Sequence, residues 1–175
     1  QQEQIERLLT HLDASERATL KLLAAFGIWD RELFSQAVTH FATGYPATGA
    51  VELGRFWSIE PIGEGRWQLH NEMAHHLQAD ERQRDQGTYE KVHRWGFAYF
   101  DGPLEGLEAK AIQADDAERL QRALRHARVI QPAAEWSAWL YKRLEQLGKG
   151  TIWQPLLAVA EKGMQEAAKA LGEND

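Results

Sequence analysis

Three histidines, His70, His75 and His76, stand close together around Glu72 and form the densest group of potential metal ligands in the chain. A zinc-peptidase site needs His-Glu-x-x-His, because ligands four residues apart share one helix face and leave the glutamate free as a base. Here His70 to His75 is one residue too long, and the adjacent rings of His75 and His76 point about 100° apart on a helix. No metal is expected at this group. The run Leu147-Gly148-Lys149-Gly150-Thr151 imitates the end of a phosphate loop. Such a loop needs a glycine where Arg143 stands and a strand before it, and neither is present. The run reads as a turn between helices. Trp136 and Trp139 sit at helical spacing, and Trp57 and Trp67 flank a glycine-rich turn, so all four are expected to fill core space, the last two within a hairpin. No Ser-His-Asp arrangement and no pair of catalytic carboxylates emerges. The chain is expected to be non-catalytic, with no cofactor of its own.

Composition narrows the partners. In 175 residues, 43% are hydrophobic and 26% charged, ordinary values for a globular protein of one medium or two small domains. There is no cysteine, which excludes disulfides, thiolate metal sites and a cysteine nucleophile. No apolar run is long enough for a membrane span and no signal peptide is visible, so a cytoplasmic location without membrane attachment is expected. The net charge is −6. Nucleic acid is therefore not the expected partner, because phosphate binding scales with clustered Lys and Arg. Through residue 84 there are 8 Lys and Arg against 12 Asp and Glu. Arg55 and Arg66 are the only candidate nucleic-acid contacts there, and each stands near a glutamate, Glu52 and Glu64. The chain opens on Gln1 rather than Met, which suggests a fragment of something longer.

The elements that position these residues follow from periodicity. Leu8, Leu9 and Leu12 continue a helical stripe from Ile5, and Asp13 with Glu16 three residues later forms a capping box that restarts the helix. Leu20, Leu22, Leu23 and Phe26 extend its apolar face to Gly27, a C-terminal stop. Ile28-Trp29 is a buried bridge, and Asp30 caps a second helix through about Phe41. A short helix over Ala50–Phe56 is expected after a turn-rich loop. Trp57-Ser58-Ile59 and Arg66-Trp67-Gln68-Leu69 around Gly63-Glu64-Gly65 read as a β-hairpin. Leu69, Met73 and Leu77 then recur every four residues, the mark of a helix beginning near Asn71. Helices, a hairpin and a helix in this order outline a winged helix over residues 1–84.

The polar run Gln78–Gln86 is either the solvated end of that helix or a linker. Beyond it, residues 85–175 are expected to hold helices at about Thr88–Phe100, Leu104–Ala114, Ala117–Ile130, Ala134–Leu147 and Ile152–Leu171. Short connectors should fold them as antiparallel hairpins. Val92, Trp95, Gly96 and Tyr99 match the first helix of a tetratricopeptide repeat, and Leu104, Leu107, Ala111, Leu120, Leu124, Ala127 and Pro132 match both helices of one. The two registers are too close to be separate repeats. A true repeat and a generic array of helical hairpins both remain open. The tail lacks a polar capping helix, so truncation of a longer array is expected.

Leu12-Asp13-x-x-Glu16-Arg17, Trp29-Asp30-x-Glu32, the hairpin ending Arg66-Trp67-Gln68-Leu69-His70 and the helices after it together resemble the C-terminal part of signal-transducing STAND ATPases of the NB-ARC type. The likeness covers about residues 12–100. In that class a nucleotide-binding domain precedes a winged helix and a repeat sensor. Leu69-His70-Asn71 is similar to the family's Met-His-Asp signature, with only the histidine identical. The resemblance implies that His70 contacts the β-phosphate of ADP in the intact protein, and that the partners are a missing nucleotide-binding domain and an unknown protein sensed by the repeats. ADP or ATP would then bind only through that missing domain. Two alternatives stand beside this reading: a DNA-binding winged-helix regulator and a helical module that binds a small molecule.

Overall fold

A computed structural model describes residues 9–149 and 153–172. The architecture is mainly helical with one small three-stranded antiparallel sheet. The chain divides into two compact units, Gln1–Tyr89 and Glu90–Asp175.

In the first unit, helix α1 (Ala14–Phe26) starts at the expected capping box. Asp13 Oδ1 accepts from the Glu16 N–H at 2.8 Å, and Glu16 Oε2 accepts from the Asp13 N–H at 2.9 Å. Both bonds satisfy donors that a helix start otherwise leaves open. Gly27, at φ +73°, ends α1 with its N–H on the Leu23 carbonyl at 3.1 Å. The bridge is strand β1 (Ile28–Trp29), and Trp29 is wholly buried. Asp30 caps α2 (Arg31–Phe41) by accepting from the Leu33 N–H at 2.8 Å. Thr19 donates to Thr43 at 2.8 Å and fastens the loop after α2 to α1.

The next helix, α3 (Ala50–Leu53), is only four residues long and stops at Gly54, short of the expected Phe56. The Trp67 indole explains this glycine. A Cβ at position 54 would lie 2.6 Å from Trp67 Nε1, so only a bare backbone lets the ring lie there.

Strands β2 (Ile59–Gly63) and β3 (Arg66–Leu69) form the hairpin, and β3 also pairs with β1, giving the order β1-β3-β2. Glu64 (φ +53°) and Gly65 (φ +69°) make the two-residue turn, whose left-handed backbone matches strand twist. Ile62 is an extra residue between the pairs Pro61–Trp67 and Gly63–Arg66, a bulge that leaves it exposed. Proline is tolerated in β2 because this strand is an edge.

Helix α4 (Asn71–Arg84) packs on α1 through Met73 and Leu77. The polar run is thus the helical end of α4 rather than a linker. Lys21 on α1 reaches Asp80 at 3.0 Å and Glu81 at 2.9 Å, and Gln78 donates to the Lys21 carbonyl at 3.5 Å.

Helix α5 (Gln86–Asp101) carries the unit boundary within it. The second unit continues with two 3-10 turns, Gly102–Leu104 and Ala109–Ala111, in place of the α-helix expected at Leu104–Ala114. Gly106, at φ +74°, reverses the chain, so an α-helix cannot run through. Helices α6 (Ala114–Ile130), α7 (Ala133–Leu147) and α8 (Trp153–Gly172) follow. They pack pairwise around Leu120, Leu124, Trp136, Leu140, Leu147 and Leu156. Gly163 on α8 abuts the Leu140 side chain and permits that close approach.

Candidate functional site

His70 stands where β3 passes into α4. Its N–H donates to the Ser58 carbonyl at 2.9 Å, and its own carbonyl accepts from the Ala74 N–H at 3.0 Å. It occupies the N-cap position of α4, yet its side chain makes no capping hydrogen bond and is exposed. The strand-to-helix junction is therefore stitched by backbone, and the imidazole is turned to the surface at the positive end of a helix. Asn71 and Glu72 beside it are exposed as well, as is His75, while His76 is half-buried. Among the described residues, no group of three or more His, Asp or Glu side chains could hold a metal ion.

Arg55 is exposed just after α3. Arg66, on β3, lies 3.4 Å from Glu64 across the turn. Trp57 is 63% exposed and precedes β2 rather than joining it. This corrects the expectation that both hairpin tryptophans fill the core. Trp67 is half-buried against Gly54, and Trp29, on the neighbouring strand, takes the wholly buried place. The turn at Trp57-Ser58 buries Ser58 instead, and this carries the aromatic ring outward.

A cleft of about 520 Å³ opens between residues 9–10, α1 and α4, with Arg17, Lys21, His76, Asp80 and Arg84 on its walls. Lys21, Asp80 and Arg84 are matched with one another, while Arg17 donates to the Leu12 carbonyl. Asp80 contacts Lys21 and also Arg84, at 2.5 Å. Burial opposes the charge of Lys21, but hydrogen bonds and charge from Glu81 and Asp80 outweigh it and raise the Lys21 pKa above 10.5.

The second unit brings together groups that no spacing rule connects. His93 on α5 and His126 on α6 face each other with their Nδ1 atoms 3.0 Å apart. Both rings are buried, at 2% and 1% exposure. Gly96 makes room for them, because a Cβ there would come within 2.5–2.8 Å of three atoms of the His126 ring. The other face of His126 stacks on Phe100 at 5.7 Å, and the Arg122 guanidinium lies 4.2 Å over the Phe100 ring. Burial, then the charge of Arg125, pushes the His93 pKa down to about 4. His126 is pushed well below 6.5 by burial first, then by His93, Arg125 and Arg122. Gly96 was legible as a close-packing position; the two histidines, 33 residues apart, carried no such signal.

A second polar cluster closes the other end of α5. Arg143 on α7 donates from Nε to Asp101 Oδ1 at 2.7 Å and from Nη2 to Oδ2 at 2.9 Å, and Trp139 Nε1 donates to the same carboxylate at 3.1 Å. Gln146 accepts from Arg143 at 2.9 Å and donates to the Leu104 carbonyl at 2.8 Å. Asp101 is where the expected end of the helix lay, and Arg143 is the residue that breaks the phosphate-loop pattern.

No protein-family model matches the chain, and no curated protein or solved structure matches it either. Among the described residues, no helix is long and apolar enough to cross a membrane.

Proposed function

We propose that the first unit is a winged helix and that the chain works as a non-catalytic regulatory and protein-interaction module of a signal-transducing ATPase. One observation carries this reading: the order α1-β1-α2-α3-β2-β3-α4, with β1 paired to β3 and a bulged hairpin protruding between β2 and β3. The exposed His70 at the head of α4 supports it, since an imidazole at the positive end of a helix suits a phosphate presented by another domain. In this reading the winged helix locks the nucleotide-bound resting state through His70. The helical hairpins of the second unit, similar in plan to tetratricopeptide repeats, receive the partner.

The reading requires a Gly-x-x-x-x-Gly-Lys phosphate loop in the same polypeptide, upstream of these residues. In the intact protein, His70→Ala should loosen ADP and raise basal signalling while leaving the melting behaviour of this chain unchanged. An encoding reading frame without such a loop, or wild-type ADP affinity in that variant, overturns it. A DNA-binding regulator has less support. The four-residue α3 offers little to a major groove, Arg66 is engaged by Glu64, and the acidic balance opposes phosphate.

A further inference from the structure

Besides the apolar packing of Val92, Phe97 and Phe100, two polar contacts hold α5 in the second unit, and one of them can be switched by protons. A hydrogen bond between two Nδ1 atoms 3.0 Å apart needs one ring to donate and the other to accept, so the pair holds together with both imidazoles neutral. We infer that the buried His93–His126 pair is an acid-sensitive latch, which holds α5 against α6 at neutral pH and releases it when the rings take up protons. This is independent of the function proposed above.

Burial and the neighbouring charges disfavour a charged ring. A proton on the accepting Nδ1 sets two N–H groups against each other at that distance, and one on the donor ring's Nε2 leaves a charged imidazolium in a buried site. Helix α6 adds positive charge nearby, from Arg122 and Arg125. The acids that could compensate are committed at the surface: Glu118 to Arg122 at 4.0 Å, and Glu90 to Arg94 at 3.8 Å, with Lys91 exposed beside it. Phe100 covers one face of His126, and the Gly96 backbone fills the remaining gap. Asp101, the acidic group at the far end of α5, is occupied by Arg143 and Trp139. Protons are therefore taken up more readily once α5 lifts away, where each histidine returns towards the ordinary value of 6.5. Mild acid consequently favours the released state.

The test is amide hydrogen exchange on the full chain at pH 7 and pH 5, corrected for intrinsic exchange. Protection over residues 92–100 should fall about 25-fold if release takes up one proton and about 600-fold if it takes up two. A double variant, His93→Asn with His126→Gln, should lose this pH dependence. If that variant does not fold, nuclear magnetic resonance titration of the wild-type imidazoles decides. Both should stay neutral to below pH 5 for as long as α5 is protected. Equal protection of residues 92–100 at the two pH values, or an imidazole titrating near 6.5 in the protected chain, overturns the latch.

Discussion

Arg143 holds Asp101 through two parallel hydrogen bonds of 2.7 and 2.9 Å, joining the end of α5 to the middle of α7 across 42 residues of sequence. Both side chains are mostly buried, at 9% and 14% exposure. The bidentate fork is the geometry that makes arginine–carboxylate pairs strong, and it raises the Arg143 pKa. Removing one partner leaves the other charge desolvated and alone. Arg143→Met should therefore destabilise the chain by about 3 kcal/mol, read as a shift of the urea midpoint. Arg143→Lys should recover only part of that, because a point charge cannot form the fork. A loss below about 1 kcal/mol for Arg143→Met would show that water replaces the pair.

Gly96→Ala sets two effects against each other. Alanine favours a helix interior by about 1 kcal/mol over glycine. The added methyl, however, would lie within 2.8 Å of the His126 ring, which Phe100 backs from the other side. Overpacking of a well-filled core costs about 1–3 kcal/mol, so a net loss is expected. A stabilised variant would mean the ring can move aside. Gly87→Ala provides the control, since its nearest neighbour is an Asp85 oxygen at 3.5 Å.

Trp29 and Trp57 should behave oppositely when truncated. Trp29→Ala empties a wholly buried site and should cost about 3–5 kcal/mol by chemical denaturation. Trp57→Ala removes a ring that is 63% exposed and should change stability by less than about 0.5 kcal/mol. A large loss at Trp57 would place that ring in an interface.

Acid should act on the two units in different windows. Burial raises the pKa of Asp80, but Lys21 and Arg84 outweigh it, so its carboxyl sits below 3.8. A depressed carboxylate stabilises fully above its ordinary pKa and loses that contribution as pH falls through the depressed value. Lys21, raised above 10.5, contributes below that pH and loses its contribution only above it. The α1–α4 clamp is thus constant between pH 5 and 10. The His93 contribution, whose depressed pKa is about 4, begins to fade already below 6.5 as the unfolded form gains protons. Amide protection of α1 should be equal at pH 7 and 5 while that of α5 falls; a parallel fall would indicate a single cooperative transition.

Much of the local plan was legible in single segments. The capping box at Asp13 and Glu16, the stop at Gly27, the cap at Asp30 and the hairpin turn at Glu64-Gly65 are short-range hydrogen bonds or backbone geometries that a few residues determine. Periodicity placed Met73 and Leu77 on the inward face of α4 for the same reason. The misreadings had physical causes. The apolar spacing of Leu104, Leu107 and Ala111 suggests a helix, but the positive φ of Gly106 interrupts it, leaving two 3-10 turns. Trp57 looked like hairpin core because aromatic residues favour strands, yet the strand begins at Ile59 and the ring falls outside the sheet. Of the candidate site residues, His70 falls at the junction of strand and helix as its neighbours imply, while its exposure is a property of the folded chain.

The sequence by itself determined what neighbours along the chain can settle: helix starts and stops, the turn, the absence of cysteine chemistry and the acidic balance. Only the tertiary structure decided which distant side chains meet. Nothing within a few residues of His93 points to His126, nor of Asp101 to Arg143, because each pairing arises from how α5, α6 and α7 pack rather than from any repeat in spacing. Polar pairs of this kind stabilise only at one separation and one orientation. The fold, not the sequence pattern, therefore selects them, and the proton-sensitive contact of this chain appears only once the helices are in place.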